Sequence, residues 1–269
     1  MIHLPEAPSY MNNGLAFDDT QLKTPSLRTG LALEYLPGID MGGDTIEDHG
    51  PRKTDATLND TYTWSESSTG KVWYPDGVDG YADCGPVSAG IINEIDGDFT
   101  YCLWFDIFGL TIPAGMRLFG VSNSGGAPDP HCFLRVTNQS GTSSKMLFKM
   151  EDDATVEERA TTSGTIDWAG NMRCVGIKYD WSAETGNIWV DGQRDAESEN
   201  TQAGTIGALG SNAINIMFGA ANSNGTPSNF ANIGYAAVLM WVRQLDDAEM
   251  IEVQNDLYAT RRRVDDHGF

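Results

Sequence analysis

The chain has 269 residues, 40% of them hydrophobic, and its 10 Phe, 9 Tyr and 7 Trp are enough to fill one substantial core. Asp and Glu number 38 against 17 Lys and Arg, a formal charge of −21, which disfavours the counterion-displacing chemistry of a nucleic-acid binder and anionic lipid surfaces. No run is long and apolar enough to span a membrane, and the opening MIHLPEAPSYMNNGLAFDD lacks the basic and apolar regions of an export signal, so no membrane insertion is expected.

Residues 1–28 contain Pro5, Pro8 and Pro25 without a sustained period and read as an N-terminal arm that docks on a neighbour. Strand-like alternation begins at Leu31, with Leu33 and Tyr35 on the same parity, and opens a single domain over 29–260. The run Phe99, Tyr101, Leu103, Phe105, Ile107 carries Cys102 and Trp104 on its other parity, and apolarity on both faces predicts a central strand. Lys145–Glu151 predicts a half-buried strand, with Met146, Phe148 and Met150 inward and Lys145, Lys149 and Glu151 outward.

Val175, Ile177 and Tyr179 share a parity in the next strand. The one after it ends in Asp191-Gly192, a two-residue hairpin turn whose central positions need positive φ. Ile214, Ile216 and Phe218 give a further strand, and Ile233 to Val242 is apolar on both parities, as in the middle of a sheet. One helix is predicted near the end. Asp246 and Glu249 have capping-box spacing, Met250, Val253 and Leu257 recur at helical spacing, and Arg261-Arg262-Arg263 suits the helix C-terminus before a tail at 261–269. Cys84, Cys102, Cys132 and Cys174 lack metal-ligand spacing and are expected to be reduced and buried. The pattern predicts an all-β, two-sheet antiparallel jelly-roll sandwich with one short C-terminal helix.

The order of these segments resembles the laminin-G-like, concanavalin A-like lectin/glucanase superfamily over roughly residues 30–258. LEYLPGIDMGGDTIEDHGPRKTDATL (33–58) is similar to its opening strand and the short segment after it, and VWYPDGVDGYADCG (72–85) to its "FDGVDDYV" hairpin. DFTYCLWF (98–105) is similar to "FTISAWV", and MRCVGIKYDWSAETGNIWVDG (172–192) to "WHHVAVTYD…LYVDG". FANIGYAAVLMWVRQLDDAEM (230–250) is similar to "FDGYIDEVRIWNRALSDAEI". The resemblance implies a jelly roll that hosts lectins, adhesion modules, glycan hydrolases and lyases, and surface domains of viral particles.

A sugar site needs an aromatic face for stacking, and Trp181, in the turn-like DWSAETG, is the leading candidate, followed by Trp64 and Trp73. Trp104, Trp189 and Trp241 lie in strands and are assigned to the core. The resemblance also implies calcium at a sheet edge, for which Asp76 and Asp79, or Asp40 and Asp44, supply oxygen ligands without EF-hand spacing. Glu94-Ile95-Asp96-Gly97-Asp98 imitates a glycosidase E-x-D-x-E strand, but its third acid is shorter and Asp96-Gly97 reads as a turn. No nucleophile elbow, HExxH, phosphate loop or dinucleotide fingerprint occurs, and His3, His49, His131 and His267 are scattered.

The expectation is therefore a non-enzymatic lectin-like structural or binding protein on the surface of a phage virion, as a capsid decoration or a tail or fibre domain. It would contact other virion proteins through its arm and adhere to host cell-surface glycans. The alternatives are a secreted, extracellular glucanase or polysaccharide lyase using Glu94, Asp96 and Asp98, or a bacterial carbohydrate-binding module or adhesin. A homo-oligomer is compatible with each of these readings.

Overall fold

A computed structural model describes residues 25–37, 43–67, 70–86, 97–106, 115–122, 131–140, 143–151, 157–168, 172–197, 199–200, 215–223 and 226–255. In chain order the strands begin with β1 (Leu31–Tyr35), β2 (Thr45–Ile46), β3 (Ala56–Asn59), β4 (Tyr62–Ser67) and β5 (Gly70–Pro75). They continue with β6 (Tyr81–Pro86), β7 (Phe99–Asp106), β8 (Arg117–Ser122), β9 (His131–Ser140) and β10 (Ser143–Glu151). Then come β11 (Glu157–Thr161), β12 (Ile166–Asp167), β13 (Arg173–Asp180), β14 (Thr185–Val190) and β15 (Gln193–Glu197). Last are β16 (Glu199–Asn200), β17 (Asn215–Phe218), β18 (Ala221–Ser223), β19 (Thr226–Ser228) and β20 (Gly234–Trp241), followed by helix α1 (Asp247–Asn255).

Two antiparallel sheets carry the fold. The first has eight strands in the order β15-β14-β13-β7-β20-β5-β4, with β1 also pairing with β20. The second has ten, β16-β11-β10-β9-β8-β17-β6-β3-β2, with β12 pairing with β10; β18 and β19 form a separate ribbon. The inner faces meet in a core that includes Tyr35, Trp73, Phe99, Tyr101, Phe105, Leu134, Phe148, Tyr179, Phe218 and Tyr235. Interdigitating inner faces of this kind are the basis of a sandwich.

The outer face of the eight-stranded sheet is covered. Cys102, Trp104, Cys174, Trp189, Leu239 and Trp241 form a second cluster under α1 with Met250 and Val253, joined by Leu27 and Leu31. All eight residues of β7 and all eight of β20 are buried, as two-sided apolarity predicts. A bulge between Tyr235 and Ala237 shifts the register on β7. It explains why Ala236 and Ala237 both join the outer cluster while Tyr235 and Val238 join the core.

The helix start matches its sequence signature. Glu249 N–H donates to Asp246 Oδ1 at 2.8 Å, and Asp246 N–H donates to Glu249 Oε2 at 2.8 Å, the reciprocal capping box. Arg243 donates to both Glu249 oxygens at 2.7 and 2.8 Å and, through Nε, to Thr29 O at 2.6 Å. Trp241 Nε1 donates to Leu27 O at 2.7 Å. The short 3-10 turn Pro25–Arg28 is thus held on the chain's own sheet, not free as the end of an arm, because Leu27 has an apolar cluster to enter. Residues 1–24, Leu257, the three arginines at 261–263 and the tail lie outside the described residues.

Asp191 and Gly192 turn with φ 49° and 78°, as the hairpin requires. All four cysteines are buried and unbridged, and burial raises the thiol pKa of Cys84, Cys132 and Cys174.

Candidate ligand-binding face

The outer face of the ten-stranded sheet is built differently from that of its partner. Strand β9 alternates, with Cys132, Leu134 and Val136 entering the core, so that Phe133, Arg135 and Thr137 point outward. On β10, Met146, Phe148 and Met150 are inward as predicted, leaving Lys145, Leu147 and Lys149 outward. Register aligns these outward residues in rows. Arg135 stands between Leu147 of β10 and Arg117 of β8, and Thr161 of β11 lies beyond Leu147. In the next row Phe133 stands between Lys149 and Gly120, flanked by Arg159 on one side and Met217 of β17 on the other.

Gly120 is what the row requires, since a Cβ there would lie 2.6 Å from Phe133 Cβ and 3.0 Å from Cys132 O. The Arg117 guanidinium lies over the Phe133 ring, 3.2 Å from its centroid, a cation–π arrangement that fixes its plane. Arg135 sits 5.8 Å from the same ring. Phe133 and Met217, 3% and 4% exposed, are a floor rather than an open stacking surface.

Two arginines directly opposed across a strand pair repel each other. Burial, and after it the charge of Arg135, pushes the Arg117 pKa down from 12.5 to about 9, so it is still a cation at neutral pH. Nε and Nη1 of Arg117 and Nε of Arg135 are buried without a hydrogen-bond partner among the described residues. Some neutral core groups, including Trp73 Nε1 and Tyr101 Oη, also lack partners. The arginines differ in carrying like charge, and an anion satisfies both the donors and the charge. On the far side of the face, Asn215 Nδ2 donates to Asp83 Oδ2 at 2.9 Å, a polar pair suited to hydroxyl groups.

The residues favoured by sequence lie elsewhere. Trp73 is fully buried, ringed by Tyr62, Phe218 and Tyr235 at centroid distances of 6.4, 5.4 and 5.4 Å. The expectation that it presents a stacking face is therefore corrected, because β5 turns it into the core. Trp64, its cross-strand partner, is half-buried against the same core. Trp181 is also half-buried, edge-on to Tyr179 at 6.1 Å, and its backbone N–H donates to Asp98 Oδ1 at 2.9 Å. Neither joins the arginine face.

Asp76 shapes a loop. Its Oδ1 accepts N–H groups of Val78, Asp79 and Gly80 at 2.8, 3.1 and 3.2 Å. Burial alone would raise its pKa, but these donors outweigh it and hold the carboxyl below its ordinary value. Asp79 Oδ1 accepts Thr61 N–H at 3.0 Å, and Asp44 accepts the Tyr62 hydroxyl at 2.9 Å. Among the described residues no three His, Cys, Asp or Glu side chains converge to hold a metal, so the calcium expected at Asp76 and Asp79 has no protein carboxylate cage there. Asp40, Glu94 and Asp96 lie outside the described residues. His131 lies in β9 opposite Glu151 and Ser122.

The arginine face left a trace in the sequence. In a chain with only 17 basic residues, Arg117, Arg135, Lys145, Lys149 and Arg159 all fall in or beside strands of one sheet. The cross-strand register that brings them together is not written in any one segment.

No protein-family model and no curated protein matches the chain. Among solved structures, the CBM40 domain of the Ruminococcus gnavus IT-sialidase, determined with alpha2,3 sialyllactose bound, is similar at a TM-score of 0.51. Identity is 16%, covering 66% of this chain and 95% of that one. The binding domain of Paraclostridial Mosquitocidal Protein 1 gives a TM-score of 0.56 at 12% identity over 84% of this chain and 52% of that one. A mutant Trypanosoma rangeli sialidase displaying trans-sialidase activity gives 0.56 at 18% identity, over 87% of this chain and 33% of that one. At these identities the likeness shows the fold alone, a two-sheet antiparallel jelly-roll sandwich.

Proposed function

We propose that the chain is a non-enzymatic glycan-binding module whose ligand presents an acidic group to Arg117 and Arg135. One observation carries this reading: two opposed guanidiniums on an outward sheet face hold buried N–H groups to which the described residues offer no acceptor. A carboxylate or sulfate relieves their repulsion and accepts those donors. The fold likeness to a CBM40 domain solved with sialyllactose supports the glycan reading, and coverage of 95% of that module against 33% of the sialidase supports binding over catalysis.

A glycan array carrying acidic and neutral sugars tests it. Binding is expected for acidic glycans only, with Arg117→Ala and Arg135→Ala each weakening it about 10- to 100-fold, the worth of a charge-assisted hydrogen bond. Equal binding of neutral glycans, or variants that bind as well as the parent, overturns the proposal. We further place the module on a virion surface, where a formal charge of −21 disfavours nonspecific association. Quantitative mass spectrometry of purified particles tests that placement, which fails if the chain is absent from them.

A further inference from the structure

The basic residues of this face do not stop at the arginine pair. Strands β11, β10, β9 and β8 are consecutive neighbours. They carry Arg159, then Lys145 and Lys149, then Arg135, then Arg117, all at outward positions in register. With about 4.8 Å between neighbouring strands, the positive groups extend about 14 Å across the sheet, perpendicular to the chain direction. Arg159 is exposed and stands opposite Glu199 of β16, and Lys149 is ion-paired with Glu151 along its own strand, a half-buried pair that a bound acid group must share or displace. In the adjoining row the register sets Glu151 of β10 opposite position 157 of β11. On a chain of formal charge −21, the surrounding field repels a polyanion and leaves this band to receive one.

From this placement we infer that the ligand is a linear polyanionic polysaccharide lying across the strands, with several consecutive acid groups engaged, and not one terminal acidic sugar. The inference rests on the acidic-glycan reading and names its ligand class. The arginine pair holds one acid group, and Lys149 and Arg159 meet the next along the polymer.

Size-graded oligogalacturonates, alginate oligomers and heparin oligosaccharides, with sialyllactose as a single-acid ligand, test it by calorimetry on the full chain across a salt series. In at least one series affinity is expected to rise at least tenfold from monomer or dimer to tetramer or hexamer and then level off. The slope of log K against log salt is expected to correspond to roughly three ion contacts. The double variant Lys149→Ala/Arg159→Ala should lower that slope by roughly one to two and remove the length dependence, with its melting temperature unchanged.

Sialyllactose binding as tightly as every hexamer, with the same salt slope, overturns the polymer inference and leaves the acidic site standing. No binding of any acidic sugar overturns both. A single-stranded DNA 12-mer binding as tightly as the best polysaccharide overturns the ligand class.

Discussion

If the face is held in wait for an anion, removing one of its charges should make the free protein more stable. Arg117→Met deletes the cation and leaves a shorter, unbranched apolar side chain that can pack on the Phe133 ring. A guanidinium pushed down to about 9 by burial and by Arg135 carries a penalty of at most about 5 kcal/mol, which solvent screening at a partly exposed side chain reduces to about 1–2 kcal/mol. The lost cation–π contact, about 0.5–1 kcal/mol, is largely replaced by a sulfur–aromatic contact of similar size. The net expectation is a gain of about 1–2 kcal/mol, or a melting temperature higher by about 2–6 °C for a chain of this length. Scanning calorimetry with and without sulfate measures it: sulfate should raise the melting temperature of the parent more than that of the variant. A variant less stable than the parent, or an equal response to sulfate, refutes the argument that these charges are unsatisfied.

Gly120→Ala places a Cβ 2.6 Å from that of Phe133 and should destabilise by about 1–3 kcal/mol in urea titrations while weakening acidic-glycan binding. Trp73→Ala empties the centre of the aromatic core and should cost about 3–5 kcal/mol, whereas Trp181→Ala should leave affinity for acidic glycans within about twofold, since it stands apart from the arginines. Asp246→Ala removes one arm of the capping box and should cost about 0.5–2 kcal/mol by thermal melting. The Asp76 carboxyl has a folded pKa below its unfolded one, so its stabilisation is present above the unfolded value and lost as pH falls through the folded one. Asp76→Asn should therefore flatten the acid limb of stability against pH, and an unchanged limb would show that the loop does not depend on this charge.

Much of the fold was legible because alternation and burial report the same physics. Met146, Phe148 and Met150 read as inward and are inward, and the spacing of Asp246 and Glu249 predicted a reciprocal cap that forms. Trp73 was misread because a tryptophan's size is consistent with either a binding face or a core, and only the pairing of β5 with β4 and β20 decides which side of the sheet it takes. The parity of β20 could not be carried through from sequence either, since its bulge adds a residue without any local mark.

The arginine face was legible only in part, and the reason lies in which sheet is covered. Strands β7 and β20 are apolar on both sides, so their outer face must be covered, and α1 and the Pro25–Arg28 turn supply the cover. Strand β10 carries Lys145 and Lys149 on its outer side, where they border an apolar floor of Leu147, Phe133 of β9 and Met217 of β17, all buried. In this chain the basic residues gather on the sheet that α1 does not cover. The contrast between β7 and β10 was legible in sequence, but the candidate site read there rested on Trp181, Trp64 and Trp73 and not on this contrast. Pairing Arg117 with Arg135 needed the register of β8 on β9, where an irregularity between Arg117 and Phe119 sets Phe119, and not Leu118, opposite Leu134, and no motif around either arginine marks that shift.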